Sequence, residues 1–583
     1  MEKLPDEILL QIFHYLHPLD VLYGFIHLNS RINQTISEYR SNIRLVNILS
    51  YNQFEFCCQN IFYTFNNIRS LILDNKHLEC LIQIFDWRVQ IDNVCQNLEH
   101  LILNNSTIGQ LRIFSSKIKL LRNLNELIIS SDKRISFQET KYIYRHIFIN
   151  HSSLKKISLK FVSAFHIDSE LSVCPLIEDL TITLMNFNDI FILFEQLPYL
   201  KQFNVDILLP VAYSVQFTTL PFRPNIIDFQ IKTTITSFII IESLINCMPN
   251  LKRLSIFLIN VQDQNYIDGH RWEYILKKLV KLEQFQFYIR LLYSEQNSEQ
   301  ILATFSTKYW LNEKRWYVAF YGEYPCYYLH TIPYSYDTLI ISTLAHNWHS
   351  TLLLTSENSF PYSNVKCVKF DFKIINDYHL NVNKFYSILE QFINIETLIL
   401  KCYSLFTILN NNNNSVTNQK LEKLQHITIH RIYENKINVP FLLQLFTMTP
   451  NLNSLKIYCC ELIYILDDHL QNHQLRRKML SITSLVIKEF LDPCKMSTLM
   501  NVNRLTMMFP NVKMLKISLK SDILMEALFT LFIHCQSLIY LQIKVLNFTN
   551  IIITYSDLLK TLCWKLKKKF QMNYDEKILK IWL

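Results

Sequence analysis

Cysteine and histidine are the residues of this chain with the most chemistry open to them, and there are 14 of the first and 18 of the second. Thiolates and imidazoles can hold zinc, but the usual sites bring two cysteines together two to four residues apart. No C-x-x-C occurs, and the close pairs are adjacent, at Cys57-Cys58 and Cys459-Cys460. The histidine pairs His426/His430 and His346/His349 fall in strand–loop and loop settings with no third ligand beside them. No metal is expected. A thioester-forming ligase would need a reactive cysteine in basic surroundings, whereas most of these cysteines sit in an apolar frame or beside aromatics. They read as small buried hydrophobes of a reducing compartment. No His, Asp and Ser constellation can be assembled either, so the chain is expected not to be an enzyme.

The glycines exclude a second chemistry. Gly24, Gly109, Gly269 and Gly322 are the only 4 in 583 residues, against roughly 40 at an average usage of about 7%. Phosphate-cradling loops need several within a few residues, so that backbone N–H groups can reach the phosphate. None can form, and no cofactor is expected. Lysine and arginine could bind nucleic acid, yet the net charge is only +9 and the runs Arg476-Arg477-Lys478 and Lys567-Lys568-Lys569 are short. Such runs are usually solvated faces, so nucleic acid is not an expected partner. Neither is a membrane: apolar stretches such as Phe238 to Ile241 fall far below the roughly 18 residues that a span needs. Acids stand near the N-terminus (Glu2, Asp6, Glu7) where a signal peptide would carry bases, which points to a cytoplasmic or nuclear protein.

What positions the remaining polar groups is a repeat. Half the residues are hydrophobic and 13% are aromatic, enough for a large core. Apolar residues recur at i, i+3 and i+5: Ile68/Leu71/Leu73, Leu98/Leu101/Leu103, and so on to Leu282/Phe285/Phe287. They resume at Tyr336/Leu339/Ile341 and continue to Leu538/Leu541/Ile543. Units begin 23 to 31 residues apart, except for one gap of 54 after Leu282 that fits two periods, with a degenerate unit around Trp316 and Val318. In a strand the i+3 and i+5 residues point to one face and those between them to the other. Amphipathic segments lie between, with a capping box at Ser136 to Glu139 before Tyr142–Phe148, and Pro440 in a first turn ahead of Phe441–Phe446. One strand and one helix cannot bury their apolar faces alone, so neighbours must stack. The polar run Asn410 to Asn414 reads as a loop insertion.

The unit Leu452-x-x-Leu455-x-Ile457-x-x-Cys460-x-Leu462 resembles the leucine-rich repeat in its cysteine-containing form, and Cys95, Cys174 and Cys535 stand three residues before a first apolar position, as in that form. The resemblance implies an α/β solenoid, a horseshoe of about 18 strand–helix units. On its strand face the i+2, i+4 and i+6 positions would project. In the N-terminal half they include Asp74, Glu126, Asp179, Asp206 and Asp228, and in the C-terminal half Lys369, Lys401, Lys456, Lys488, Lys516 and Lys544. Lys456, Lys488, Lys516 and Lys544 are the candidate substrate-binding residues, as a ladder for an acidic or phosphorylated segment.

The N-terminal residues Leu4-Pro5-Asp6-Glu7-Ile8-Leu9 open a helix, with proline in the first turn and acids at the positive end of the dipole. Ile8, Leu9, Ile12, Phe13 and Leu16 form a stripe wider than one neighbouring helix needs. A second helix is read from about Leu19 to Leu28 and a third from an N-cap at Ser30. With Pro18-Leu19-Asp20-Val21-Leu22 and Asn29-Ser30-Arg31-Ile32, these residues resemble an F-box. In that family three helices dock on a Skp-type adaptor and thereby on a cullin–RING ubiquitin ligase. The resemblance implies adaptor contacts at Leu4, Pro5, Ile8, Leu9, Ile12, Phe13, Leu16 and Leu22. It also implies a substrate receptor organised as a docking segment (1–48), a repeat solenoid (49–545) and a C-terminal capping segment (546–583). The alternative is a leucine-rich-repeat scaffold or inhibitor unconnected with ubiquitination.

Overall fold

The second and third residues of each apolar triplet lie on a strand, and the first stands just before it. The computed structural model describes residues 4–16, 18–26, 28–36, 42–45, 56, 68–74, 97–118, 121–131, 134–149, 153–167, 173–174, 176–209, 222–234, 236–292, 297–323, 326–341, 348–352, 362–372, 382–389, 391–402, 420–431, 439–459, 462, 473–488, 499–546, 571–575 and 578–582. The chain is mixed α/β, with two sheets that are mainly parallel. It divides into two compact units, Met1–Phe320 with Tyr324–Thr331 and His349–Thr351, and Tyr321–Glu323 with Ile332–Trp348 and Leu352–Leu583. The interval 49–545 spans both. The insertion Asn410 to Asn414, His346, Cys95 and the Lys567 run lie outside the described residues.

The first sheet begins with β1 (Asn42–Leu45), β2 (Ser70–Asp74), β3 (His100–Asn104), β4 (Glu126–Ser131) and β5 (Lys156–Phe161). It continues through β6 (Asp179–Leu184), β7 (Gln202–Ile207), β8 (Asp228–Thr234), β9 (Arg253–Val261) and β10 (Gln284–Leu292). From β2 onward the i+3 residues pair in one line: Leu71 with Leu101, then Leu127, Ile157, Leu180, Phe203, Phe229, Leu254 and Phe285.

Beyond β10 the expected degenerate unit around Trp316 and Val318 is absent. Instead β11 (Tyr317–Glu323) and β12 (Cys326–Ile332) follow, and the sheet ends in the order β10-β12-β11-β14, with β14 at Trp348–Ser350. β12 runs antiparallel to β10, with Tyr288 opposite His330. Only two residues separate β11 from β12, which is hairpin length, whereas a parallel neighbour needs a crossover of a dozen or more.

The second sheet restores the register. It runs β13 (Thr338–Ile341), β15 (Cys367–Phe372), β16 (Thr397–Cys402), β17 (His426–Arg431), β18 (Ser454–Tyr458), β19 (Ser484–Lys488), β20 (Met514–Lys520) and β21 (Tyr540–Leu546). The i+3 line here is Leu339, Val368, Leu398, Ile427, Leu455, Leu485, Leu515, Leu541. β22 (Gln571–Asp575) and β23 (Ile578–Trp582) then close its edge antiparallel, inside the expected capping segment.

Helices α1 (Asp6–His14), α2 (Pro18–Phe25) and α3 (Ser30–Thr35) precede the first sheet. Between its strands lie α4 (Ile108–Lys117), α5 (Phe137–Ile149), α6 (Phe187–Gln196), α7 (Phe238–Asn246) and α8 (Gly269–Leu276), with α9 (Ser298–Thr304) after β10. The second sheet carries α10 (Val382–Leu389), α11 (Val439–Met448), α12 (His473–Met479), α13 (Leu499–Met508) and α14 (Leu524–His534). The capping box forms before α5: Ser136 N donates to Glu139 Oε2 at 3.1 Å, and Glu139 N to Ser136 Oγ at 3.4 Å. Helices cover the i+3/i+5 face of the strands, as where Phe385 of α10 meets Phe370 (ring centroids 4.8 Å) and Trp272 of α8 meets Phe285 (5.4 Å). Every triplet residue is buried except Tyr336, which is half-buried. Each such leucine, isoleucine or phenylalanine stabilises the fold by about 1.5–3 kcal/mol. Among the described residues, no helix is long and apolar enough to cross a membrane.

Candidate binding surfaces

The N-terminal helices divide their apolar residues between an inside and an outside. Leu9 and Phe13 of α1, Val21 and Leu22 of α2 and Ile32 of α3 are buried, and Phe13 meets Phe25 at 4.8 Å between centroids. Leu4 and Ile12 are half-buried, and Pro5, which precedes α1, is exposed. Ile8, Leu10 and Leu16 are each 40% exposed and Tyr15 is 89% exposed, leaving an apolar surface. Of the expected adaptor contacts, Leu9, Phe13 and Leu22 therefore serve the packing of the helices on one another, while Pro5, Ile8 and Leu16 face outward.

Two details of these helices differ from the sequence reading. The N-cap of α3 is Asn29, not Ser30, because the Asn29 carboxamide oxygen accepts Ile32 N–H at 2.8 Å. Arg31 also ties α3 to the start of α1: its guanidinium pairs with Asp6 at 2.8 Å and donates to the Leu4 carbonyl. The Arg31 contacts span 25 and 27 residues and leave no trace in local spacing. α2 ends at Phe25, short of Leu28.

On the sheets, the positions between inward-facing residues are outward, as in β18 and β19, where half-buried and buried residues alternate. In the first unit several of the charges there are paired across strands. Glu126 lies between His100 (3.0 Å) and Lys156 (2.8 Å), Asp206 meets Lys232 at 3.3 Å, and Asp228 meets Arg253 at 2.7 Å. Partial burial opposes ionisation of Glu126, but the hydrogen bonds from Lys156 and His100 outweigh it and hold the carboxyl below its ordinary range.

The second unit is built differently. From β15 to β21 the i+2, i+4 and i+6 positions carry Lys369, Lys401, Lys456, Lys488, Lys516 and Lys544 against one carboxylate, Asp371, and no arginine. The lysines do not form one ladder. Lys369, Ile399, Thr428, Lys456, Val486, Lys516 and Gln542 are successive neighbours in one row. Lys401 and His430, Tyr458 and Lys488, and Ser518 and Lys544 are neighbours two residues further along. Lys456, Lys488, Lys516 and Lys544 thus alternate between two rows. With strands about 4.8 Å apart and about 3.3 Å per residue, consecutive lysine backbones stand about 8 Å apart.

His430 lies within this field. Burial, and then the charges of Lys488, Lys456, Lys401 and Lys369, push its pKa down from 6.5 to about 4. Lys488 is pushed down as well, first by burial and then by Lys456, and its ammonium sits 5.9 Å from the centre of the Tyr458 ring. Tyr458 in turn lies 6.4 Å from the His430 ring. The place of His430 among lysines follows from the strand register, which sets it beside Lys401, and not from its distance to His426.

The thiols have structural partners. Cys174 donates from sulfur to the Phe148 carbonyl near the end of α5 at 2.9 Å, and Cys535 to the Phe509 carbonyl just past the end of α13 at 3.8 Å. Burial pushes Cys247 and Cys535 up to about 11, so both stay protonated at neutral pH. Cys459, against the expectation of reduced cysteines, is disulfide-bonded. Among the described residues, no three His, Cys, Asp or Glu side chains are placed to hold a metal ion. Compared with known protein families and with curated proteins, the chain matches none.

Proposed function

We propose that the chain is the substrate-recognition subunit of a cullin–RING ubiquitin ligase, with an F-box in its N-terminal helices and leucine-rich repeats in its two sheets. The observation that carries the docking half is the divided apolar stripe of α1. Leu9 and Phe13 satisfy the packing of the three helices, yet Ile8 and Leu10 of the same helix, and Tyr15 and Leu16 just past its end, stay exposed. So many exposed apolar side chains on one short segment usually mark a partner site. The Leu4-Pro5 start and the sequence resemblance make that partner a Skp-type adaptor.

The repeat reading is supported by the continuous pairing of i+3 residues within each sheet. Target binding is assigned to the outward lysines of the second unit, where six lysines stand against one carboxylate, Asp371, and not to the first unit, where Glu126, Asp206 and Asp228 meet bases on neighbouring strands. Ubiquitin transfer in this arrangement needs no catalytic residue from this chain, which positions a target for a thioester held elsewhere. Co-purification with a purified Skp-type adaptor and cullin is the test. A 1:1:1 complex is expected for the intact protein, and Ile8→Asp should abolish it without changing the circular dichroism spectrum. Absence of any complex with the intact, folded chain would leave a repeat scaffold outside ubiquitination and refute the ligase reading.

A further inference from the structure

The lysine face has a shape in charge that a single ligand group does not fill. Its six lysines come from six strands between β15 and β21, and β17 supplies His430 in their place. Six strand steps of about 4.8 Å make about 29 Å, the length of about nine residues of extended chain at about 3.3 Å each. Lysines of one row recur every second strand where Lys456 is followed by Lys516, a spacing of about 9.6 Å. No three lysines of the face share neighbouring positions, so they do not converge on one point.

We infer that this face takes an extended, carboxylate-rich peptide segment of about nine residues, running across the strands between the two lysine rows. The inference rests on the target-binding reading given above and names the class of target. An extended chain sends successive side chains to opposite sides, so its acids meet the two rows alternately. Lysine is a point charge that suits one anion per ammonium, and lysines spread along two rows match a string of separate carboxylates better than one phosphate; none supplies the planar fork that grips either anion bidentately. Arginine, the residue fitted to that grip, is missing from these positions. Single-stranded nucleic acid would offer a similar string of charges, but it is held by bases stacked on aromatic platforms. Outward tyrosines at these positions amount to Tyr458 on β18 and Tyr540 on β21, three strand steps apart.

The test is fluorescence anisotropy of the full chain with four labelled probes: decaglutamate, decaglutamine, a decaglutamine with one central phosphoserine, and a dT oligonucleotide of matched charge. Decaglutamate is expected to bind tightest, and each Lys→Met change at 456, 488, 516 or 544 should weaken it about two- to five-fold. The affinity should fall steeply with salt. Tighter binding of the single phosphoserine probe or of the oligonucleotide would overturn the inference, as would equal binding of decaglutamine. If decaglutamate fails to bind while charge reversal of the four lysines still strips captured targets, the carboxylate chemistry is wrong and the target-binding reading stands. If reversal leaves the captured targets in place, that reading falls, and the inference with it.

Discussion

Replacing Ile8, Leu10 and Leu16 together with alanine removes three exposed apolar side chains of α1 and the residues just past its end, while leaving Leu9 and Phe13 inside. Each of the three is 40% exposed, and full burial of such a side chain is worth about 1.5–3 kcal/mol. Covering the exposed fraction on docking then contributes about 0.6–1.2 kcal/mol per residue. The triple substitution should cost about 2–3.5 kcal/mol of adaptor binding, roughly 30- to 400-fold in Kd. Leu9→Ala is the contrasting change: Leu9 is fully buried, so it should destabilise the helices by about 2–5 kcal/mol. Titration calorimetry with a purified Skp-type adaptor reads the first effect, and thermal unfolding followed by circular dichroism reads the second. A folded triple variant that binds the adaptor with unchanged Kd would refute the docking face. So would a Leu9→Ala protein of unchanged stability, because the division of the stripe would then be wrong.

Further outcomes follow from particular contacts. Leu455→Asp should cost several kcal/mol, since it buries a carboxylate without a partner, while Lys456→Asp next to it should change the urea midpoint little; equal effects would mean that the faces are misassigned. Gly269→Ala should lower the melting temperature, because a Cβ there would collide with the Thr304 carbonyl and stand 2.8 Å from Phe305 N; a cost of about 1–3 kcal/mol fits overpacking, and an unchanged melting temperature would count against the close approach. Stability should also fall on acidification. His330 is fully buried, and burial lowers its pKa from 6.5 to about 4. The unfolded chain therefore takes up a proton that the folded chain refuses between about pH 6.5 and 4, so this contribution is fully present above pH 6.5 and is lost as pH falls through that window. It amounts to about 3 kcal/mol, and urea midpoints that stay flat from pH 7 to pH 4.5 would contradict it.

The strands were legible because burial and spacing say the same thing. Leu455 and Ile457, two residues apart, share the inward face of β18, and Leu452 is buried just before the strand begins. The hairpin of β11 and β12 was not legible, because alternation has the same period of two in parallel and antiparallel strands. At Trp316 and Val318 it was the short connection to Cys326 that decided direction. The stripe of α1 was recognisably too wide, but its spacing does not say which residues face α2 and α3. Leu22 and Leu9 read as adaptor contacts and proved to be core, whereas Leu10 and Tyr15 lay off the stripe and proved to be outward. The lysines were visible one strand at a time. Their two rows emerge only when Lys456 is set opposite Val486 and Lys488 opposite Tyr458.

If two separate surfaces of one chain serve two partners, parallel affinity capture with ubiquitin transfer inhibited will tell them apart. Three full-length proteins would be compared: the natural sequence, Ile8/Leu10/Leu16→Ala, and Lys456/Lys488/Lys516/Lys544→Glu. The first should retain adaptor and targets, the second should lose the adaptor and keep the targets, and the third should lose the targets and keep the adaptor. Adaptor and targets lost together in either folded variant, or both retained in both, would contradict that separation.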